Sequence, residues 1–519
     1  MASRRGGRVA KTDVGSRIRG MGCHEGYQTA MHTLDQYRGT TVACRYCPPS
    51  TLTRPEALAT LKTTFYEAVS RVVLGQPHLQ LGITGENSKD PGFVRLEHID
   101  LRNHVTWASV DDESRLKQLF EETMQTQLDS RYKNLATVPG WRVVILHNVG
   151  AHFIEVFYVW NHPHHDGMSG KIFHEDLLQN LNSIPTQNFE SVLKAGETPE
   201  SRILQLPDPT EALPPNPEML SSWPMTPKFL VTALWKELKP TWLFPPDCTH
   251  ATWAPVKTSP FKTQFRSFTI NNSTVQRLIV ACRKHQTTIT GLFQALVLVS
   301  LTNSIPTMKG FASRTPYDLR HILPSRPPQY PFLEPKRSMC NYVSVIDHEF
   351  DAELVSSVRS KMTKSQPADA GLSPGILDIV WTVSARVRRE IQARLDSGLW
   401  NDMIGIMKFV SDWLVQQKGE ENRVRYLSWL VTNIGVLDGG INESEQNDRE
   451  RWSVRRAELV LSNETPSAAL SVAVMTVKNG DMRVTGSWQD CAVDVEIGDS
   501  LMRDLERWLM EVGRGDGPS

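Results

Sequence analysis

The sequence predicts an α/β protein built as two similar lobes, each a strand-rich sheet with flanking helices. Three observations predict it. Helix-period and strand-like segments alternate from Gly22 to about Asn182, the alternation resumes from Gln264 to the C-terminus, and a proline-crowded stretch separates the two series. A chain of 519 residues with 40% apolar and 22% charged residues has length for roughly two to three core-forming units.

In the first series, Arg54–Leu74 reads as a helix because Leu58, Leu61, Phe65, Val69 and Val73 share one face. Trp141–His147 and Phe153–Asn161 are rich in β-branched and aromatic residues and flank a short Gly-containing turn, so they read as a hairpin or neighbouring strands. Ser169–Asn182 follows as a helix, with Ile172, Phe173, Leu177, Leu178 and Leu181 at helical spacing. Prolines then crowd Ser183–Phe261, leaving one short amphipathic helix near Lys228–Leu238, and this stretch reads as the crossover between lobes.

The second series opens with a strand at Gln264–Ile270, a helix at Ser273–His285 and a buried helix at Thr290–Leu301. A Pro-rich loop covers Pro324–Pro335, and an amphipathic helix lies around Val380–Leu395. Trp429–Gly435 precedes strands near Glu458–Leu461, Ala468–Lys478 and Asp481–Gln489, and a helix at Ile497–Val512 closes the chain. The domain reading is a basic, disordered leader at 1–20, an N-terminal lobe at 21–240 that ends in the crossover, and a C-terminal lobe at 241–519.

Charge narrows the partners. Lys plus Arg equals Asp plus Glu at 57 each, so no global field favours nucleic acid, and a small neutral substrate fits better than a polyanion. Seven irregularly spaced cysteines point to a reducing compartment, and Cys44 and Cys47, the one Cys-x-x-Cys, read as ordinary thiols. The first twenty residues hold Arg4, Arg5, Arg8, Lys11, Arg17 and Arg19 but no apolar stretch, unlike a secretory signal. The longest apolar run, Gly291–Leu301, is interrupted by Gln294 and falls short of the ~20 residues that span a bilayer. A cytoplasmic monomer is expected, with peripheral membrane association left open.

The chemistry concentrates in His162-Pro163-His164-His165-Asp166-Gly167, placed where an apolar strand passes into a helix. There an imidazole can face a cleft while the carboxylate four residues on turns back into the protein. A histidine of ordinary pKa, about 6.5, is mostly neutral at pH 7 and can accept a proton as general base. Gly167 and Gly170 let backbone pass close to a ligand. Two other readings stand beside this one: a solvated turn that ends a strand, and a metal site, because His162, His164 and Asp166 also fit the His-x-His-x-Asp spacing of zinc hydrolases.

His162, Asp166 and Gly167 resemble the His-x-x-x-Asp-Gly signature of the CoA-dependent acyltransferases, a superfamily that includes chloramphenicol acetyltransferase, plant BAHD enzymes, condensation domains and fungal alcohol and trichothecene O-acetyltransferases. Further elements are similar to the fungal branch: Glu25-Gly26-Tyr27 followed by Tyr37, Thr315-Pro316-Tyr317-Asp318-Leu319-Arg320, Val431-Thr432-Asn433-Ile434-Gly435 and Ser487-Trp488-Gln489-Asp490. The plant Asp-Phe-Gly-Trp-Gly element is absent, and Asn161 stands where condensation domains carry an extra His.

The resemblance runs from about residue 22 to the C-terminus. It implies two chloramphenicol-acetyltransferase-like lobes with mixed sheets and a channel at their interface. It implies His162 as base, Asp166 as a structural carboxylate held by Arg320, and Thr432 and Asn433 as channel or oxyanion residues. The implied reaction uses acetyl-CoA as co-substrate, without a metal, to acetylate a small, largely apolar alcohol, the 15-hydroxyl of a trichothecene being one such acceptor.

Overall fold

The computed structural model describes residues 16–110, 112–148, 152–185, 190–193, 202–208, 212–239, 243–362, 371–441 and 450–514. Eleven strands carry its two main sheets. In chain order they are β1 (Thr40–Cys47), β2 (Val105–Val110), β3 (Trp141–Asn148), β4 (Ile154–Trp160), β5 (Thr263–Ile270), β6 (Phe311–Asp318), β7 (Val343–Phe350), β8 (Trp429–Leu437), β9 (Ser453–Leu461), β10 (Leu470–Val477) and β11 (Met482–Gln489).

The first sheet has the order β9-β1-β4-β3-β2, with only the β2–β3 pair parallel. The two segments expected as neighbours do pair: β3 and β4 run antiparallel from Trp141 opposite Trp160 to His147 opposite Ile154. Every residue of β4 is buried because both faces are covered. Leu61, Phe65 and Val69 of the Leu58–Gly75 helix and Ile172, Phe173 and Leu177 of the Gly167–Ser183 helix cover one face. Leu116, Met124 and Leu128 of the Glu113–Asp129 helix cover the other. Such two-sided cover explains why β4 reads as a continuous apolar run instead of an alternating one.

The second sheet has the order β5-β11-β10-β8-β6-β7 and is mixed, with β8 parallel to both β10 and β6. The Ile289–Ser304 helix lies in its core, packed with Trp429, Val431 and Val472 and with the Pro374–Asp396 and Val495–Arg514 helices. Buried on all sides, it is apolar all round.

Two boundaries differ from those read in the sequence. Strand β9, from the C-terminal stretch 241–519, completes the N-terminal sheet by pairing with β1, Ser453 opposite Cys47 and Leu461 opposite Thr40. Strand patterning fixes which face is buried but not which distant strand pairs with it. Residues 1–15 of the expected leader lie outside the described residues, but Arg17–Gly20 is a strand paired with Gly92–Arg95. Arg17 forms a two-pronged ion pair with Asp90, and Arg19 another with the buried Glu25, so these arginines anchor a strand and do not solvate a tail.

The free thiols of Cys44 and Cys47 both lie on β1, three positions apart and so on opposite faces. No helix among the described residues is long and apolar enough to cross a membrane.

Candidate active site

β4 ends at Trp160, and the chain turns through Asn161–Asp166 into the Gly167–Ser183 helix. The turn is held from below: the Asn161 amide donates to the Gly140 carbonyl at 2.7 Å, and the His164 amide to the Asn161 carbonyl at 3.1 Å. Asp166 is the helix N-cap, its Oδ1 accepting from the Ser169 amide at 2.9 Å. A cap of this kind stabilises by about 1 kcal/mol and fixes the angle at which the turn enters the helix.

The turn sends its three imidazoles in different directions. His164 is fully buried, its Nε2 3.1 Å from the Leu81 carbonyl. His165 is also buried, with Nδ1 3.1 Å from the Tyr158 hydroxyl. His162 alone is half-buried. Its ring centroid lies 5.8 Å from that of His24, edge-on, and 5.7 Å from that of Tyr37. His162 Nδ1 is shut off from solvent and makes no hydrogen bond.

Asp166 is occupied by a different partner. Arg320, just past the end of β6, grips it two-pronged, Nη1 to Oδ2 at 2.6 Å and Nη2 to Oδ1 at 3.0 Å. Both side chains are buried. The Ser169 hydroxyl and the Tyr342 amide also donate to the carboxylate, each at 2.9 Å. Arg320 in turn donates to the carbonyls of Ser338 and Cys340 and to Asp318 Oδ1. Next to it, Asn341 Nδ2 donates to the carbonyls of His162, at 2.5 Å, and Pro163, at 2.9 Å. Residues 318–342 thus fasten the histidine turn of the first sheet to β6 and β7 of the second.

The electrostatics follow from this arrangement. Burial pushes the Asp166 pKa up, but the charge and hydrogen bonds of Arg320 outweigh it, and the net direction is down. Asp166 is therefore ionised and its charge is matched. Burial dominates at His162 and lowers its pKa, opposed first by Glu464 and then by Asp166. Burial likewise takes His24 and His164 to about 3. At neutral pH His162 is an uncharged imidazole in a part-enclosed position, the form that accepts a proton.

The zinc-hydrolase spacing is not realised. His164 faces the Leu81 carbonyl and Asp166 faces Arg320, so these side chains do not share a point with His162. No group of three or more His, Cys, Asp or Glu that could hold a metal occurs among the described residues.

The remaining sequence candidates separate. Gly167 sits at the seam between the sheets, where a Cβ would lie 3.2 Å from a methyl of Ile434. Gly170, expected beside a ligand, instead packs its helix onto the sheet: a Cβ there would lie 2.6 Å from the Trp160 ring and 2.8 Å from Val42. On β8, Trp429 and Val431 enter the core of the second sheet while Ile434 joins that of the first. By the alternation of a strand, Thr432 shares the face of Ile434. Asn433 lies on the opposite face, where its Nδ2 donates to Thr290 Oγ1 at 3.3 Å. The register thus places Thr432, and not Asn433, on the face turned to the first sheet.

His24 and Asn341 escaped the sequence reading. His24 adjoins the Glu25-Gly26-Tyr27 element that drew notice, but a lone histidine in a helix carries no signal of its own. Asn341 follows a Pro-rich loop and has no pattern around it.

Known proteins resemble this chain over most of its length. Residues 97–351 match the alcohol acetyltransferase family model. The chain is 26% identical over 515 residues to "Probable alcohol acetyltransferase FCK4" of Fusarium pseudograminearum, with 96% of this chain and 95% of the relative covered. It is 24% identical over 462 residues to "Probable alcohol acetyltransferase crmB" of Aspergillus fumigatus, covering 84% and 88% of the two chains.

Among solved structures, the trichothecene 15-O-acetyltransferase TRI3 of Fusarium sporotrichioides superposes with a TM-score of 0.65 at 12% identity, over 95% and 94% of the chains. The starter condensation domain of rhizomide synthetase, in complex with C8-CoA and Leu-SNAC, gives 0.57 at 10% identity, over 95% and 93%. These likenesses show a shared mixed α/β fold. With an alcohol acetyltransferase match over residues 97–351 and relatives along nearly its whole length, the chain is similar to the fungal alcohol acetyltransferases.

Proposed function

We propose that this protein moves an acetyl group from acetyl-CoA to a hydroxyl of a small, largely apolar alcohol, with His162 as general base. The observation that carries the reading is the state of His162: an uncharged, part-enclosed imidazole held by its backbone between the two sheets, while the nearby Asp166 is matched by Arg320. With Nδ1 enclosed, Nε2 is the nitrogen that meets the acceptor.

In the reaction, His162 takes the hydroxyl proton as the oxygen attacks the thioester carbonyl carbon. The C–O bond forms and the carbonyl electron pair moves onto oxygen. The tetrahedral intermediate then collapses, the C–S bond breaks, and the thiolate of CoA takes the proton from the imidazolium. No covalent intermediate on the protein is needed. Proton transfer of this kind contributes about 10²–10⁴ in rate, and the rest comes from holding the two substrates together and from donors to the oxyanion. Thr432, on the face of β8 turned to the first sheet, is the side chain proposed for the latter.

Secondary-metabolite alcohols are the acceptor class we put forward, including the 15-hydroxyl of a trichothecene, on which TRI3, the structural relative, acts by name. The test is release of free thiol from acetyl-CoA across a panel of hydroxylated terpenoids and simple alcohols. Release is expected only with an acceptor present, to survive chelators, and to fall about 10²–10⁴-fold in His162→Ala with folding retained. Full activity in a folded His162→Ala variant would overturn the reading.

A further inference from the structure

When His162 takes a proton it becomes a cation inside the protein, and such a charge needs a counter-charge. Asp166 is poorly suited to supply it, because Arg320 holds it in a two-pronged pair and the Ser169 and Tyr342 groups fill its other acceptor positions. A second carboxylate stands nearby. Glu464 lies on the loop 462–469 by which the chain leaves β9 of the first sheet and enters β10 of the second.

That loop is rigidly held. The Ser462 amide donates to the Gly39 carbonyl at 3.0 Å, the Thr465 amide to the Gln36 carbonyl at 2.9 Å, and Asn463 Nδ2 to the carbonyls of Ala468 and Ala469. Its anchors, Gln36 and Gly39, flank Tyr37, whose ring lies against His162. Glu464 itself accepts from Gln28 Nε2 at 2.9 Å and from the Tyr27 hydroxyl at 3.3 Å. The Tyr27 ring lies tilted against His24, centroids 5.9 Å apart, and His24 sets its ring edge-on to His162.

We propose that Glu464 is the counter-charge of the His162 imidazolium, a positioning residue delivered to the site by the strand crossover between the two sheets. The proposal rests on His162 being the general base. Most other charged and titratable groups around the cluster are matched or neutral. Arg314 is paired two-pronged with Asp347, Asp166 with Arg320, and Glu421 accepts from Gln36. Glu420 bears on Tyr27 and pairs with Arg423, and burial keeps His24, Tyr27 and Tyr37 uncharged near neutrality. The ordering of influences on His162 agrees, since Glu464 favours the protonated ring more than Asp166 does.

The test is the pH profile of kcat/KM and kcat for acetyl-CoA and one acceptor in the wild type, Glu464→Gln, Glu464→Asp and His162→Ala, each checked for an unchanged melting transition. Glu464→Gln keeps an acceptor for Gln28 and Tyr27 but removes the charge. Expected is a loss of about tenfold or more in kcat, and an acid limb displaced to lower pH by about one unit, because the carboxylate no longer favours the imidazolium. Glu464→Asp is expected to restore part of both. Should Glu464→Gln prove unstable, Glu464→Asp carries the test alone through a smaller displacement of the limb in the same direction. A folded variant with kcat and acid limb unmoved overturns this role for Glu464. Activity that survives in His162→Ala overturns instead the base assignment on which it rests.

Discussion

Removing the charge of Asp166 tests the junction between the sheets most directly. In the wild type the carboxylate accepts two hydrogen bonds from Arg320, two from Ser169 and one from the Tyr342 amide. An asparagine in its place would offer a single acceptor oxygen and turn an N–H₂ toward donors. The larger loss is electrostatic, for Arg320 is almost wholly inaccessible and would keep only the half-buried Asp318 as a counter-charge.

Breaking one side of a buried pair costs about 3–5 kcal/mol. With urea slopes of about 1–3 kcal/mol/M, Asp166→Asn should lower the denaturation midpoint by about 1 M or more. Activity should fall as well, since Asp166 caps the helix that follows His162. Adding Arg320→Met should recover part of the stability, because an apolar side chain needs no counter-charge, and the double-mutant cycle should show strong coupling. An unchanged midpoint and unchanged activity in Asp166→Asn would refute the assignment.

Three other outcomes follow from the geometry. His32, His78, His104, His164, His165 and His174 are buried, and burial lowers all six pKa values, to about 4 for His32, His78, His104 and His174 and about 3 for His164. The unfolded chain therefore binds more protons below about pH 6.5, and stability should fall as pH drops from 7 to 5.5 by about 1 kcal/mol per histidine. A flat urea midpoint over that range would contradict neutral burial. Gly170→Ala forces a methyl onto Trp160 and Val42 and should cost about 1–3 kcal/mol, whereas Gly167→Ala meets only a side-chain methyl and should cost less; equal melting shifts would count against this. Asn341→Ala removes the amide that grips the His162 and Pro163 carbonyls. It should lower kcat more than it raises KM for acetyl-CoA, and an effect on KM alone would argue that Asn341 contacts substrate.

Much of this molecule could be read from one strand of text. The apolar faces of Leu58–Gly75 and Val495–Arg514, the paired β3 and β4, and the uniformly apolar Ile289–Ser304 helix are local patterns, set by side-chain periodicity within a single element. The motif was legible for the same reason, since His162, Asp166 and Gly167 are close in sequence and mark the end of a strand. Arg320 was reached through resemblance.

What only the tertiary structure decided depends on encounters between distant segments. The pairing of β9 with β1, the parting of Thr432 from Asn433, the grip of Asn341 on the turn and the hydrogen bonds of Gln28 and Tyr27 to Glu464 carry no local signal. Pairing partners and the surroundings of a buried charge are settled by packing across the whole chain, and it is that packing that decides which of three adjacent histidines keeps a part-open, uncharged ring.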